Sequence, residues 1–256
     1  MKHLATFTLL SLSTALAAAQ QTERFTGDVG GMVMGSSALV RGAEASTSVL
    51  PYVYGDWGRL YARVDTLGLR AVPLGQGHLE LAARVSTEGF EGRKTAYPAL
   101  GDRSSPLPVG MGTFQRTALG GVFAYLMHDA RSGGQFAELN WAAQTRLGPV
   151  TLYPQLGLQY RSSAYVAHLY GVSAAESAAT GLSRWQPGAS WAPMATLQAT
   201  LPLSSDWSVQ AVLRQRWFDS AVADSPLVKT RSQSSGLLAI TRTLNGVARA
   251  LGRACG

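Results

Sequence analysis

Beyond residue 26 the chain alternates apolar and polar side chains almost without interruption. Between 150 and 161, Val150, Leu152, Pro154, Leu156, Leu158 and Tyr160 form one row. Thr151, Tyr153, Gln155, Gly157, Gln159 and Arg161 form the other. The same two-residue period runs through 77–86, 136–147 and 207–217. Such alternation predicts strands with one apolar and one polar face. Ten strands are expected, at roughly 26–35, 44–54, 58–70, 77–87, 113–127, 134–147, 150–161, 188–202, 207–217 and 229–243. Helical spacing is confined to 172–182, where Ser173 and Glu176 read as a capping box and Gly181 as a helix end. A short loop helix is therefore expected near 173–181.

Many of these strands run to ten or twelve residues, about twice the usual length in soluble sheets. That length suits a transmembrane barrel, and so do the aromatics near strand ends (Tyr52, Tyr54, Trp57, Trp141, Tyr160, Trp191, Trp207 and Trp217). Composition narrows the choice further. Only 14% of the residues are charged while 46% are hydrophobic, against about 25% charged in ordinary soluble domains. A disordered chain needs the opposite balance. A helical membrane protein needs apolar runs of about 18 residues, and none follows residue 20. The expected fold is all-β, an antiparallel transmembrane barrel of about ten strands. If both termini are periplasmic, ten strands put the long 88–112 connection on the periplasmic side. Either that segment has a periplasmic or plugging role, or a hidden hairpin raises the count to twelve.

Charge sets the expectation for the interior. Three of the 22 basic residues are lysine (Lys2, Lys94 and Lys229) and the rest are arginine, against 15 acidic residues. The arginines are scattered singly, so no nucleic acid is expected as a partner. Phasing each strand by its apolar face turns Arg59, Arg63, Arg84, Arg146, Arg161, Arg214 and Arg216 inward, with Asp65, Glu80 and Glu138. An arginine facing lipid at mid-bilayer would cost about 2–4 kcal/mol, which fixes that phase. The interior is then either a packed, salt-bridged plug or a positive lumen that favours anions.

Residues 1–19 read as a secretory signal with cleavage after Ala19, leaving a barrel over 20–244 and an atypical tail over 245–256. The histidines are isolated, Cys255 is the single cysteine, and no serine sits in a Gly-x-Ser-x-Gly elbow. No catalytic, metal or cofactor site is expected, and outer-membrane lipid is the first expected partner.

Three stretches carry a resemblance. Tyr170-Gly171-Val172, then Thr180-Gly181-Leu182 and Trp185-Gln186-Pro187, form the first. The second is Ala223-Asp224-Ser225-Pro226-Leu227-Val228. The third pairs Gly110-Met111-Gly112 with Thr117 to Phe123. In this order they resemble the MltA-interacting protein (MipA/OmpV) family. The family's acidic loop after the first strand is replaced here by Ser36 to Gly42, and its terminal aromatic by the 245–256 tail. The resemblance implies a non-enzymatic outer-membrane barrel acting as a scaffold that joins a lytic transglycosylase to a penicillin-binding protein. Porin-like and adhesin roles are also found in the family.

Overall fold

A computed structural model describes residues 24–244, so the expected signal segment and the tail lie outside the described residues. Twelve antiparallel strands close on themselves. They are β1 (Thr26–Ser36), β2 (Ser46–Trp57), β3 (Leu60–Arg63), β4 (Thr66–Leu74), β5 (Gly77–Arg84), β6 (Pro108–Thr117) and β7 (Gly120–Asp129). Then follow β8 (Gly134–Ala142, resumed at Thr145–Leu147), β9 (Val150–Arg161), β10 (Ser190–Pro202), β11 (Trp207–Trp217) and β12 (Ser232–Leu244). Each strand pairs with the next, and β12 pairs with β1 over Gly27↔Leu244 to Ser36↔Ser235, which seals the cylinder.

Of the two open counts, ten and twelve, the structure has twelve, because two predicted strands contain hairpin turns. The 58–70 segment folds back at Val64–Asp65, and 113–127 belongs to a hairpin that turns at Ala118–Leu119. The first extra turn moves the 85–107 connection to the other end of the barrel, and the second restores the alternation after it. All long connections (37–45, 85–107, 162–189 and 218–231) now share one end. The opposite end holds both described chain ends and turns of two to four residues, such as Gly148–Pro149, where Gly148 takes φ 58°. Short turns mark the periplasmic end of such barrels and long loops the outer end.

Polarity is inverted relative to a soluble domain. Val33, Leu67, Leu81, Leu126, Leu139, Leu156, Leu213 and Ile240 all stand exposed on the outer wall. A continuous apolar belt of that kind belongs in lipid. Tyr160, Trp191 and Trp217 ring its upper edge, with Tyr160 and Trp191 stacked 4.9 Å apart, and Trp57 and Trp207 lie at the lower edge. Heat-modifiable migration in a denaturing gel is the expected signature, with unboiled protein running faster. A single band that never shifts, from protein washed out of membranes by salt, would contradict the barrel.

Three helices lie in the outer loops: α1 (Ser163–Tyr170), α2 (Ala174–Thr180) and α3 (Ser220–Ala223). Helix α2 is the one the sequence predicts. The Ser173 hydroxyl accepts from the Glu176 N–H while the Glu176 carboxylate accepts from the Ser173 N–H, and Gly181 ends the helix at φ 74°. Helix α1 buries one face, Tyr165, Val166, Leu169 and Tyr170, and carries only a weak polar stripe because alanines (Ala164 and Ala167) occupy much of its exposed face.

Candidate functional site: a capped mouth over an ion-paired lumen

The outer loops pack into a cap. Leu39 from the first loop, Val166, Leu169 and Tyr170 from α1, and Val222 and Val228 from the last loop form one apolar cluster with Met127 and Phe136 of the wall. A second cluster joins Val40, Leu100, Val172 and Leu227. Full burial of side chains of this size contributes about 1.5–3 kcal/mol each.

The family-like motifs are part of that cap. The Ser225 hydroxyl donates to the Tyr170 carbonyl at 2.7 Å, tying the Asp224-Ser225-Pro226 turn to the end of α1. Val172 bridges Trp185 on both backbone groups, Leu182 packs on the second cluster, and Pro187 is buried. Asp224 takes Arg231 at 2.6 Å, and the Pro226 carbonyl accepts from Arg41 Nε. Gly171 caps α1, its N–H donating to the Ala167 carbonyl. Arg103 holds Glu176 of α2 at 2.7 Å; the Ser173 N–H and then Arg103 keep its carboxyl below the usual range, overriding a burial effect that alone would raise it.

Beneath the cap the lumen is crossed by polar clusters at three levels. At the top, Glu88 from the 85–107 loop reaches across to Arg161 Nη2 at 2.7 Å and to Arg216. Gln233 accepts from Arg216 at 2.7 Å, and the rings of Tyr165 and Phe218 cover Arg161. Arg161 is 1% exposed. Burial alone would raise the Glu88 carboxyl, but the two guanidiniums bring it down to about 2.

Midway, Glu138 accepts from Arg84 at 2.9 Å, from Gln159 at 2.7 Å and from Asn140 at 2.7 Å. Gly157 leaves room for this group: a Cβ there would lie 1.9 Å from Asn140 Oδ1 and 2.6 Å from Met194 Cε, and both side chains would have to shift. Glu80 accepts from the Tyr125 hydroxyl at 2.6 Å and contacts His78 at 2.9 Å. Lower down, Arg63 and Arg70 both reach Asp56 Oδ1 at 2.7 Å.

The expected lumen residues thus have definite places. Arg63, Glu80, Arg84, Glu138, Arg161, Arg214 and Arg216 point inward; Arg214 Nε donates to the Thr196 hydroxyl at 3.2 Å. Arg146 lies opposite Thr151 near the periplasmic end. Arg59 and Asp65 lie in turns rather than within strands. Arg59 occupies the β2–β3 turn, exposed, and donates to the Arg70 and Ala71 carbonyls. Asp65 forms the β3–β4 tip and binds the Thr66 hydroxyl. Glu88, Asp56 and Arg70 were not expected in the lumen, and each completes an ion pair there.

The MltA-interacting protein MipA family model matches residues 29–244. The MltA-interacting protein of Escherichia coli (strain K12) is 33% identical over 131 residues, covering 50% of this chain and 53% of the relative. The chain therefore spans about half the length of that relative. The putative outer membrane protein YiaT of the same strain is 25% identical over 193 residues, covering 73% of this chain and 78% of its own. A solved outer membrane channel from Pseudomonas putida F1, of the COG4313 group, overlaps at 13% identity and TM-score 0.39, covering 88% of this chain and 98% of the channel. That overlap is too weak to carry an argument. The closed twelve-strand wall, its apolar belt and the match across 29–244 make this chain an outer-membrane β-barrel that belongs to the MltA-interacting protein (MipA) family.

Proposed function

We propose that this chain is a capped, non-conducting outer-membrane barrel that anchors a peptidoglycan-remodelling enzyme at its periplasmic face. One observation carries the reading. Loops pack over the mouth, and the lumen below is bridged between strands by Glu88 and Glu138. Solutes meet a cross-linked interior rather than a ring of free charge, and Arg216 spends its charge on Glu88 and Gln233. A barrel built this way presents surfaces. The periplasmic surface consists of the short turns, with Arg59 exposed among them.

The name of the E. coli relative supports a lytic transglycosylase as the first partner to test, and a penicillin-binding protein is the second. The chain performs no catalytic step in this scheme. Planar-bilayer recordings should show no steady channel above background, while immobilised barrel should retain a purified lytic transglycosylase. Steady channels without retention would overturn the scaffold in favour of a small porin.

A further inference from the structure

Charge is divided unevenly between the two ends of the barrel. Each of the four long outer connections (37–45, 85–107, 162–189 and 218–231) holds as many basic as acidic residues. The periplasmic end is different. Five arginines stand exposed there: Arg24 before β1, Arg59 in the β2–β3 turn, Arg116 on β6, Arg146 on the resumed part of β8 and Arg242 on β12. Among the described residues, Asp206 is the one exposed acidic residue at this rim, and it lies 4.0 Å from Arg242. The rim therefore carries an excess of four positive charges, five less one. Just inside it, Arg63 and Arg70 meet Asp28, Asp56 and Glu80, a balance of minus one, so the end as a whole stands at plus three. By sequence, the flanking segments add Glu23, Arg249 and Arg253, which do not reverse that sign.

The five arginines encircle the periplasmic opening, with neighbours in the ring no more than four strands apart. Their directions matter. Arg116 pairs with Gly121 and Arg146 with Thr151, positions in the rows that carry Tyr125 and Arg161 into the lumen. These two overlook the opening rather than the lipid. Arg242 pairs with Trp207 on the outward row, and Arg59 is held at the edge by the Arg70 and Ala71 carbonyls. A layer of lipid headgroups would engage the outward members alone. Above the opening the lumen is crossed by the Asp56 and Glu138 ion pairs, which argues against a funnel for anions.

Size and residue type narrow the occupant further. Twelve strands about 4.8 Å apart and tilted by about 40° enclose a ring on the order of 24 Å across. With its rim side chains the end face covers about 700 Å², close to the roughly 800 Å² that each partner gives to a standard protein interface. Turns of two to four residues keep that face shallow, which suits the flat side of a globular domain better than a single polymer strand. Every cation at this end is an arginine, whereas both described lysines, Lys94 and Lys229, lie in the outer loops. Arginine is the cation enriched at protein interfaces, because its planar fork meets a carboxylate with two hydrogen bonds.

We infer that the arginine ring is a docking face for a folded periplasmic protein that presents an acidic surface and seats end-on over the opening. Carboxylates of the partner meet Arg59, Arg116, Arg146 and Arg242, and complementary charge steers the encounter and fixes its orientation. This inference rests on the scaffold reading and deepens it, by naming the chemistry of the partner's surface and the residues that receive it.

The test uses the barrel refolded into phosphatidylcholine nanodiscs, with two probes: a purified lytic transglycosylase, and labelled poly-L-glutamate as an acidic polypeptide independent of the choice of enzyme. Binding of the enzyme should weaken at least about tenfold in about 1 M salt, where the screening length falls to about 3 Å. Arg116→Glu with Arg146→Glu should weaken it to a similar degree at low salt, while Arg93→Glu with Lys94→Glu in an outer loop should leave it unchanged. Heat-modifiable migration certifies folding, and Arg24→Glu with Arg116→Glu replaces the first pair should that variant fail to fold. Enzyme binding that ignores both salt and the rim variants would overturn this inference and leave the scaffold standing. If the wild type binds no transglycosylase, that partner falls and poly-L-glutamate decides: binding that depends on the rim arginines supports the acidic-face reading, and no binding overturns it. Displacement of both probes by phosphatidylglycerol in the disc would assign the ring to lipid headgroups and overturn it as well.

Discussion

Replacing Glu88 with Gln should unlatch the 85–107 loop and destabilise the barrel by about 3–5 kcal/mol, the usual cost of removing one partner from a buried ion pair. The effect is large because Arg161 is 1% exposed and holds two further nitrogens, Nε and Nη1, that have no hydrogen-bond partner. Without the carboxylate, two guanidiniums remain beneath the cap with only glutamine oxygens to face. Trypsin reports the release directly, since Arg93 and Lys94 stand exposed in the same loop. Cleavage there should be slow in the folded wild type and at least tenfold faster in the variant.

The pH dependence has a definite sign. The folded Glu88 carboxyl lies near 2, below its ordinary 4.5, so its contribution is fully present above about 4.5. It fades as pH falls from 4.5 towards 2 and is gone below that. The difference in urea midpoint between wild type and Glu88→Gln should be constant above pH 5 and shrink through that window. A difference that persists to pH 2 would mean that the carboxylate charge is not what holds the loop.

The two-residue period revealed the barrel but concealed two of its turns, and the reason lies in parity. Arg63 and Thr66 both face inward across a two-residue turn, so the inward set switches from odd to even numbers at that point. A strand drawn straight through 58–70 puts Asp65 inside and Arg70 in lipid. The penalty for a lipid-facing arginine, about 2–4 kcal/mol, was the available signal for the hairpin, because neither Val64 nor Asp65 advertises a turn as glycine would. The hairpin at Thr117–Gly120 shifts parity in the same way. Helix α2 was legible because its capping box is local. Helix α1 was not, because its exposed face carries Ala164 and Ala167 where a surface helix usually shows a polar stripe. Glu88 was invisible as a lumen residue for another reason: a loop side chain has no strand phase, and only the fold brings it 73 residues away in sequence to Arg161.

Glu138→Ala should be the other costly change, again by about 3–5 kcal/mol. The carboxylate serves Arg84, Gln159 and Asn140 together, and its loss leaves Arg84 between the rings of Tyr125 and Phe136 with only the more distant Asp65 as a counter-charge. Cation–π contacts of that kind return only about 0.5–2 kcal/mol, too little to replace a buried ion pair. Removing both charges is a different experiment. Arg84→Met with Glu138→Leu should recover most of the stability, because apolar residues of similar volume replace a buried pair at little net cost. The recovery will be incomplete, since Gln159 and Asn140 each lose an acceptor. Urea midpoints of refolded barrels give both numbers. A single-variant cost below about 1 kcal/mol, the level of a solvent-exposed pair, would mean that water fills the lumen around Glu138. The interior would then be a wet passage, and the case for a porin would reopen at the residue on which the closed barrel most depends.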